Sequence, residues 1–280
     1  MLQLKTSIGR SWVLVAWACA ICQPSRAQTE TGQALWELGG AAFGVSQQAY
    51  PGADQQIARA LALPFFIYRG EVLRADRDTA GIRALKTERF ELDIGVAGSF
   101  GAGSDEIEAR QGMRDLGTLV ELGPRLKWQL GSGPGGGRWR AEFPLRVVFD
   151  LSDGAANRGL SFEPELVFER LSSGGWRYQT SVGAIVADTR LARTFYEVTA
   201  SEATALRPAY SARSGLVAWR WSTSASRSLG PDWRVFGFLR LDSVAGSANR
   251  NSPLIKRTTG ATAGLGVAYT WMRSTRQAAD

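Results

Sequence analysis

The chain has 280 residues, enough for one large domain or two small ones. Hydrophobic residues make up 44%, which excludes wholesale disorder, and 32 glycines and 10 tryptophans beside only 3 methionines favour β-structure over helix. The formal charge of +7 is scattered and partly removable, so it does not argue for nucleic acid.

At the N-terminus, Lys5 and Arg10 precede the apolar run "SWVLVAWACAIC" at 11–22, and Ser25-Arg26-Ala27 offers small residues for cleavage before Gln28. This is the pattern of a secretory signal over 1–27, too short to span a membrane, with 28–280 as the mature domain. A lipoprotein cut at Cys19 or Cys22 is the alternative, and the residues before either cysteine fit it poorly. Loss of Lys5, Arg10 and Arg26 lowers the formal charge from +7 to +4. Cys19 and Cys22 are the only cysteines, so the mature chain would hold no disulfide and no thiol nucleophile or ligand.

No run of 18 apolar residues follows, the longest being "LALPFFIY" at 61–68, so no helical membrane span is expected. Apolar and polar residues alternate instead. Phe90, Leu92, Ile94 and Val96 interleave with Glu91, Asp93 and Gly95. Val120, Leu122, Leu126, Trp128 and Leu130 interleave with Glu121, Arg125, Lys127 and Gln129. In "RWRAEFPLRVVFDL" at 138–151 the odd positions are apolar, with Arg140, Glu142, Arg146 and Asp150 between them. The same period recurs at 176–186, 233–242 and 261–271, with Phe236 and Phe238 out of step on the face of Arg234, Arg240 and Asp242. A period of two suits a strand and no helix. It predicts twelve strands at 34–46, 58–69, 71–77, 80–86, 89–100, 117–130, 138–151, 159–170, 175–187, 213–228, 232–244 and 259–272, the third and fourth being the weakest.

The connections alternate too. Tight turns at 69–70, near Lys86-Thr87, and at 131–137, 172–175 and 230–232 occupy one end of an up-and-down meander. Mostly long polar loops at 46–57, 101–116, 152–158, 188–212 and 245–258, with a short break near Asp78-Thr79, occupy the other. Strands of about ten residues with this asymmetry predict an all-β, antiparallel transmembrane barrel of the outer membrane, about 12 strands within a range of 10–14. Closure removes the free edges that lipid would penalise. The odd positions of 138–151 then face lipid, and Trp139, Trp176, Trp233 and Trp271 form an interfacial girdle on the short-turn side. A soluble β-sandwich binding protein also alternates, but its strands are shorter. Pro124, Pro144 and Pro164 oppose a continuous ladder, and local bulges are the expected remedy.

Little here suggests catalysis. There is no histidine, so histidine triads and histidine metal sites are absent. Glu163, Glu165 and Glu169 share a strand face and could serve a paired-carboxylate glycosidase, but a charge-balanced lumen explains them as well. The acidic stretch 101–115, with Asp105, Glu106, Glu108 and Asp115, lacks the spacing of a calcium loop and reads as a hydrated extracellular loop. "GSGPGGG" at 131–137 lacks the Lys-Ser/Thr of a phosphate loop and reads as a flexible turn. No cofactor or metal is expected. Arg125, Lys127, Arg140, Glu142, Arg146, Asp150, Glu163, Glu165 and Arg177 are expected to face the lumen, interlocking to constrict it or lining a small polar channel. Constriction is the preferred reading.

Two stretches carry a resemblance. "AYPGADQQIARALALPFFIYRGEVLRAD" at 49–76 holds a Tyr-Pro-Gly-x-Asp loop, a strand with a Pro-aromatic core, then Tyr-Arg-Gly. Residues 208–271 hold Pro-Ala-Tyr, a glycine-led strand, a turn with Trp, Asn-x-Ser-Pro-Leu and a glycine-rich last strand. In that order they resemble the MipA/OmpV family of Gram-negative outer-membrane proteins. The resemblance implies an outer-membrane barrel in contact with lipid, and a binding role with no enzymatic activity. It also implies a scaffold coupling a membrane-bound lytic transglycosylase to a penicillin-binding synthase. Tyr50, Pro51, Gly52, Asp54, Ser252 and Pro253 match the family pattern, and each also suits a turn or loop exit. Such barrels usually end at an aromatic residue, whereas here Trp271 is followed by "MRSTRQAAD". A channel admitting small solutes or antibiotics, and a lumen enzyme using Glu163, Glu165 or Glu169, are the competing functions.

Overall fold

The computed structural model describes residues 34–70, 73–75 and 80–278, with only the backbone path for 73–75 and 80–84. The expected leader and its cleavage site lie outside the described residues.

The ladder comprises β1 (Trp36–Gln48), β2 (Gln56–Arg69), β3 (Leu73–Ala75), β4 (Ala80–Lys86), β5 (Phe90–Ser99), β6 (Leu119–Ser132) and β7 (Arg138–Asp150). It continues through β8 (Ala156–Phe162), β9 (Glu165–Leu171), β10 (Arg177–Ala187), β11 (Gly215–Ser228), β12 (Trp233–Ser243) and β13 (Thr259–Arg273). Neighbours pair antiparallel, and β13 returns to β1 over ten residue pairs, closing the sheet into a barrel. β7 and β10 each pair with both β8 and β9, so these two segments form one interrupted crossing and the wall has twelve crossings. The all-β barrel read from the alternation is therefore the fold, with the strands close to their expected bounds.

Side chains obey the predicted period. In β7, Phe143 and Leu145 are exposed to the outside while Glu142, Pro144, Val148 and Asp150 are buried. Leu122, Val182, Leu239 and Leu265 are likewise exposed on the outer surface. Such a large apolar surface on a closed sheet suits hydrocarbon tails. At the short-turn rim, Phe90 stacks on Trp128 at 5.9 Å, while Trp139 packs tilted against Phe168 at 4.9 Å and Trp233 tilted against Tyr269 at 4.7 Å.

Two expectations need correction. The strand expected at 159–170 breaks at Glu163-Pro164. The prolines are absorbed without bulges at their own positions, because their carbonyls still accept: Pro144 O takes the Glu163 N–H at 3.1 Å, and Pro164 O takes that of Ala184 at 3.1 Å. Bulges occur elsewhere, between Gln129 and Gly131 and between Val148 and Phe149. The turn expected within 131–137 is a tight 3-10 turn over Pro134–Gly136, closed by Gly133 N–H to Gly137 O at 2.7 Å.

The tail after Trp271 also has a place. β13 runs to Arg273, Ser274 N–H donates to Trp36 O at 2.9 Å, and Leu35 N–H donates to Arg276 O at 2.8 Å. The tail thus prolongs the seam that closes the barrel. Among the described residues, β2 pairs with β3 only at Tyr68 and Arg69.

Candidate functional site

The long-loop end is a packed cap and not a set of hydrated loops. Tyr50, Ile107, Leu191, Tyr196, Val198 and Leu254 come from four separate connections, and none is more than 4% exposed. The segment expected as a polar loop at 188–212 contains helix α1 (Thr189–Tyr196), which Asp188 caps by accepting the Leu191 N–H at 2.8 Å. The helix turns Leu191, Ala192 and Tyr196 into the cap core. The acidic stretch 101–115 contributes Ile107, Ala109 and Met113 to the same core. Two of its acids are engaged within the protein: Glu106 pairs with Arg59 at 2.8 Å, and Asp115 accepts the Ser104 N–H at 2.6 Å, which holds its carboxyl below the usual range.

The family-pattern residues meet at the centre of this cap. Tyr50 to Ala53 is a tight turn, with Ala53 N–H to Tyr50 O at 3.0 Å and Gly52 at φ +97°, the backbone a Pro-Gly type II turn requires. The Tyr50 hydroxyl donates to Leu254 O at 2.6 Å, and the Tyr196 hydroxyl donates to Pro51 O at 2.9 Å. The Ser252 hydroxyl donates to Tyr196 O at 2.8 Å, and Gly52 O accepts from the N–H groups of Lys256 and Arg257. Pro253 lies between Ser252 and Leu254 in the same hub, while Asp54 keeps one carboxylate oxygen buried without a hydrogen-bond partner among the described residues. Turn chemistry and long-range pinning are therefore combined in the same few residues. Burial pushes the phenols of Tyr50 and Tyr196 well above the ordinary tyrosine range.

Two buried arginines brace the cap. Arg110 donates to Phe195 O and Arg114 O, both at 3.2 Å, and lies 5.9 Å from the Tyr50 ring centre. Burial lowers its pKa. Arg207 donates to the carbonyls of Ala109, Gln111 and Glu202. Tyr196, Arg110 and Arg207 had no local signal in the sequence, because the partners that tie them across the cap, Pro51, Phe195 and Ala109 respectively, lie tens of residues away.

Beneath the cap, charges from one half of the wall interlock. Asp93 is wholly buried and held by a two-bond fork from Arg125, at 3.0 and 2.8 Å, and by Lys127 at 2.8 Å. Lys127 also reaches Glu91. Arg140 joins Glu142 to Glu169, and Glu169 also meets Arg138 and Arg177. Higher up, Arg146 lies between Glu121 and Glu163, at 3.5 and 3.6 Å, while Arg220 contacts Glu163 and forks onto Asp242 at 2.7 and 2.9 Å. Asp150 stands apart at the outer rim, bonded to Arg158 and the Ser152 N–H. Glu165 makes no ion pair among the described residues and faces the Ser181 hydroxyl. The carboxylates considered for hydrolysis thus divide: Glu163 and Glu169 are held by arginines and Glu165 is not. Among the described residues no group of three or more His, Cys, Asp or Glu side chains is placed to hold a metal ion.

The alternation pointed to the inward face of Glu91, Asp93, Arg240 and Asp242, yet only the closed sheet shows which of them join a ladder. The opposite half of the wall is mostly apolar, with a buried Arg69–Glu37 ion pair at 2.8 Å toward its short-turn end. Ala41, Phe65, Ile67 and Phe236 are buried on inward faces, so the lumen is charged on one side and greasy on the other.

Among solved structures, the chain is similar to Pseudomonas putida OprB, at 8% identity and TM-score 0.42, covering 87% of this chain and all of that one. It is similar to the NanC porin at 11% identity and TM-score 0.35, covering 84% of this chain and 99% of that one. An outer membrane channel from Pseudomonas putida F1 is similar at 10% identity and TM-score 0.36, covering 88% of this chain and all of that one. No curated protein matches the sequence. The family model of the MltA-interacting protein MipA matches residues 39–271, from within the first strand to within the last. This chain, an outer-membrane β-barrel, therefore belongs to the MipA family.

Proposed function

We propose that this protein is a closed, non-catalytic barrel that works by binding, and that its periplasmic rim holds murein-processing enzymes. One observation carries the reading: the outer mouth is filled by a core drawn from four connections and pinned by Tyr50, Tyr196 and Ser252. A mouth built this way suits a rigid display surface better than solute flux. The short turns and the pinned tail after Arg273 form that surface, on the side where murein lies. The family's description as MltA-interacting supports a murein enzyme as partner, a lytic transglycosylase with a penicillin-binding synthase being the expected pair.

The test is photocrosslinking from the periplasmic turns at Gly174 and Gly230 in intact cells. The expected products contain a lytic transglycosylase or a penicillin-binding protein. Crosslinks to lipid alone, with no murein enzyme among them, would sink the scaffold.

A further inference from the structure

Arg240 faces inward from β12 and takes no part in the charge clusters around Asp93, Glu169 and Glu163. Arg240 of β12 makes no hydrogen bond or ion pair among the described residues, and its Nε is buried without an acceptor. Its cross-strand neighbours are Ser222 and Thr262, which offer hydroxyls and no carboxylate. Asp242, one step along the same face, is taken by the Arg220 fork. Glu163, Glu165 and Asp242 act on Arg240 from a distance and Arg220 opposes them, but no carboxylate among the described residues touches it. A guanidinium withdrawn from water without a contacting acceptor is costly, and the cost falls when an anion bonds to it directly.

The wall below Arg240 indicates which anion. Phe238 and Phe236 follow it on the same inward face. Their rings lie flat over β13, where a Cβ on Gly264 would meet Phe238 at 2.4 Å and one on Gly266 would meet Phe236 at 2.4 Å. Phe65 lies over Gly39 in the same way, with the small Ala41 and Ala268 between. Between Arg240 and the Arg69–Glu37 pair, β12, β13, β1 and β2 therefore present a stretch of aromatic and small side chains, while long charged side chains project from the opposite wall. From Arg240 to Phe236 this surface runs for roughly 13 Å, about the length of a medium-chain acyl group.

We infer that Arg240 and the Phe238–Phe236 surface form a lumen site for an amphiphilic organic carboxylate. The head accepts hydrogen bonds from the Arg240 guanidinium, and the apolar body lies along the rings. The site is independent of any scaffold role, since it lies inside the wall and involves no periplasmic turn.

The experiment uses the full chain in a neutral detergent, titrated with decanoate, decanol and decylamine and followed by native mass spectrometry and calorimetry. Decanoate is expected to bind with one-to-one stoichiometry and about tenfold or more tightly than decanol, with decylamine weakest. Arg240→Gln is expected to weaken decanoate about tenfold and leave decanol unchanged, while Arg240→Lys retains part of the preference. Heat-modifiable gel mobility verifies that each variant is a folded barrel. Equal affinity for decanoate and decanol in the wild type, or undiminished decanoate binding by folded Arg240→Gln, would overturn the assignment. So would the absence of saturable decanoate binding.

Discussion

Asp93 shows how one side chain is fixed by the pattern around it. Its position in β5 follows from the alternation of Phe90, Leu92 and Ile94, which turns Glu91 and Asp93 inward. Pairing of β5 with β6 then sets Asp93 opposite Arg125 and Glu91 opposite Lys127. Removal of one charge from a buried pair strands its partners, which costs about 3–5 kcal/mol. Asp93→Asn is accordingly expected to lower stability by about 3 kcal/mol, with two cations left short of an acceptor. The measurement is the urea midpoint of the gel-mobility shift in neutral detergent. An unchanged midpoint would mean that lumen water already compensates Arg125 and Lys127. The charge ladder was readable from the sequence at this level, because a two-residue period fixes the face of each residue. Its pairing was not readable, because register is a property of two strands.

Among the elements, the cap gives the clearest consequence. α1, the Tyr50 turn and the Ser252 loop hold one another through hydroxyl-to-carbonyl bonds across 56 to 204 residues of sequence. Burial keeps the Tyr50 and Tyr196 phenols protonated beyond their ordinary range. An opened cap would let both ionise above about pH 10. The packed form keeps the protons, so cap stability is constant below about pH 10 and falls as pH rises beyond it. Two of the 6 tyrosines should therefore yield phenolate absorbance late, in a step that coincides with protease access to the 188–214 connection. Tyr196→Phe should remove one of the two late tyrosines. Titration of all tyrosines in one early phase would show that the cap is open. Here the sequence was misleading: polar composition and glycine at 101–116 suggested hydrated loops, yet Ile107, Met113 and Leu116 sit in a core. Isolated apolar residues in a loop carry no period, so nothing local marks them as buried.

For the whole molecule, closure and capping bear directly on the closed-barrel proposal. Twelve crossings enclose a lumen narrowed on one side by ion pairs and covered at its outer end. Wild-type protein in a planar bilayer is expected to be silent or nearly so. Tyr196→Ala combined with Ser252→Ala removes the Pro51 and Tyr196 tethers and should produce stepwise conductance, provided gel mobility shows an intact barrel. Large, steady conductance by the wild type would favour the channel over the closed barrel. The seam also belongs to this scale: β1 and β13 are more than two hundred residues apart in sequence, and the tail at Ser274–Gln277 completes their pairing.

The sequence by itself determined the barrel, the strands, their inward and outward faces and the end that bears short turns. These depend on a period of two and on turn residues, which each segment carries locally. Tertiary structure alone decided that the long loops form a lid, that Tyr50 and Ser252 meet through Tyr196, and that the ladders leave Arg240 unpaired. Those outcomes depend on which distant segments become neighbours when the sheet closes, and no local pattern encodes that.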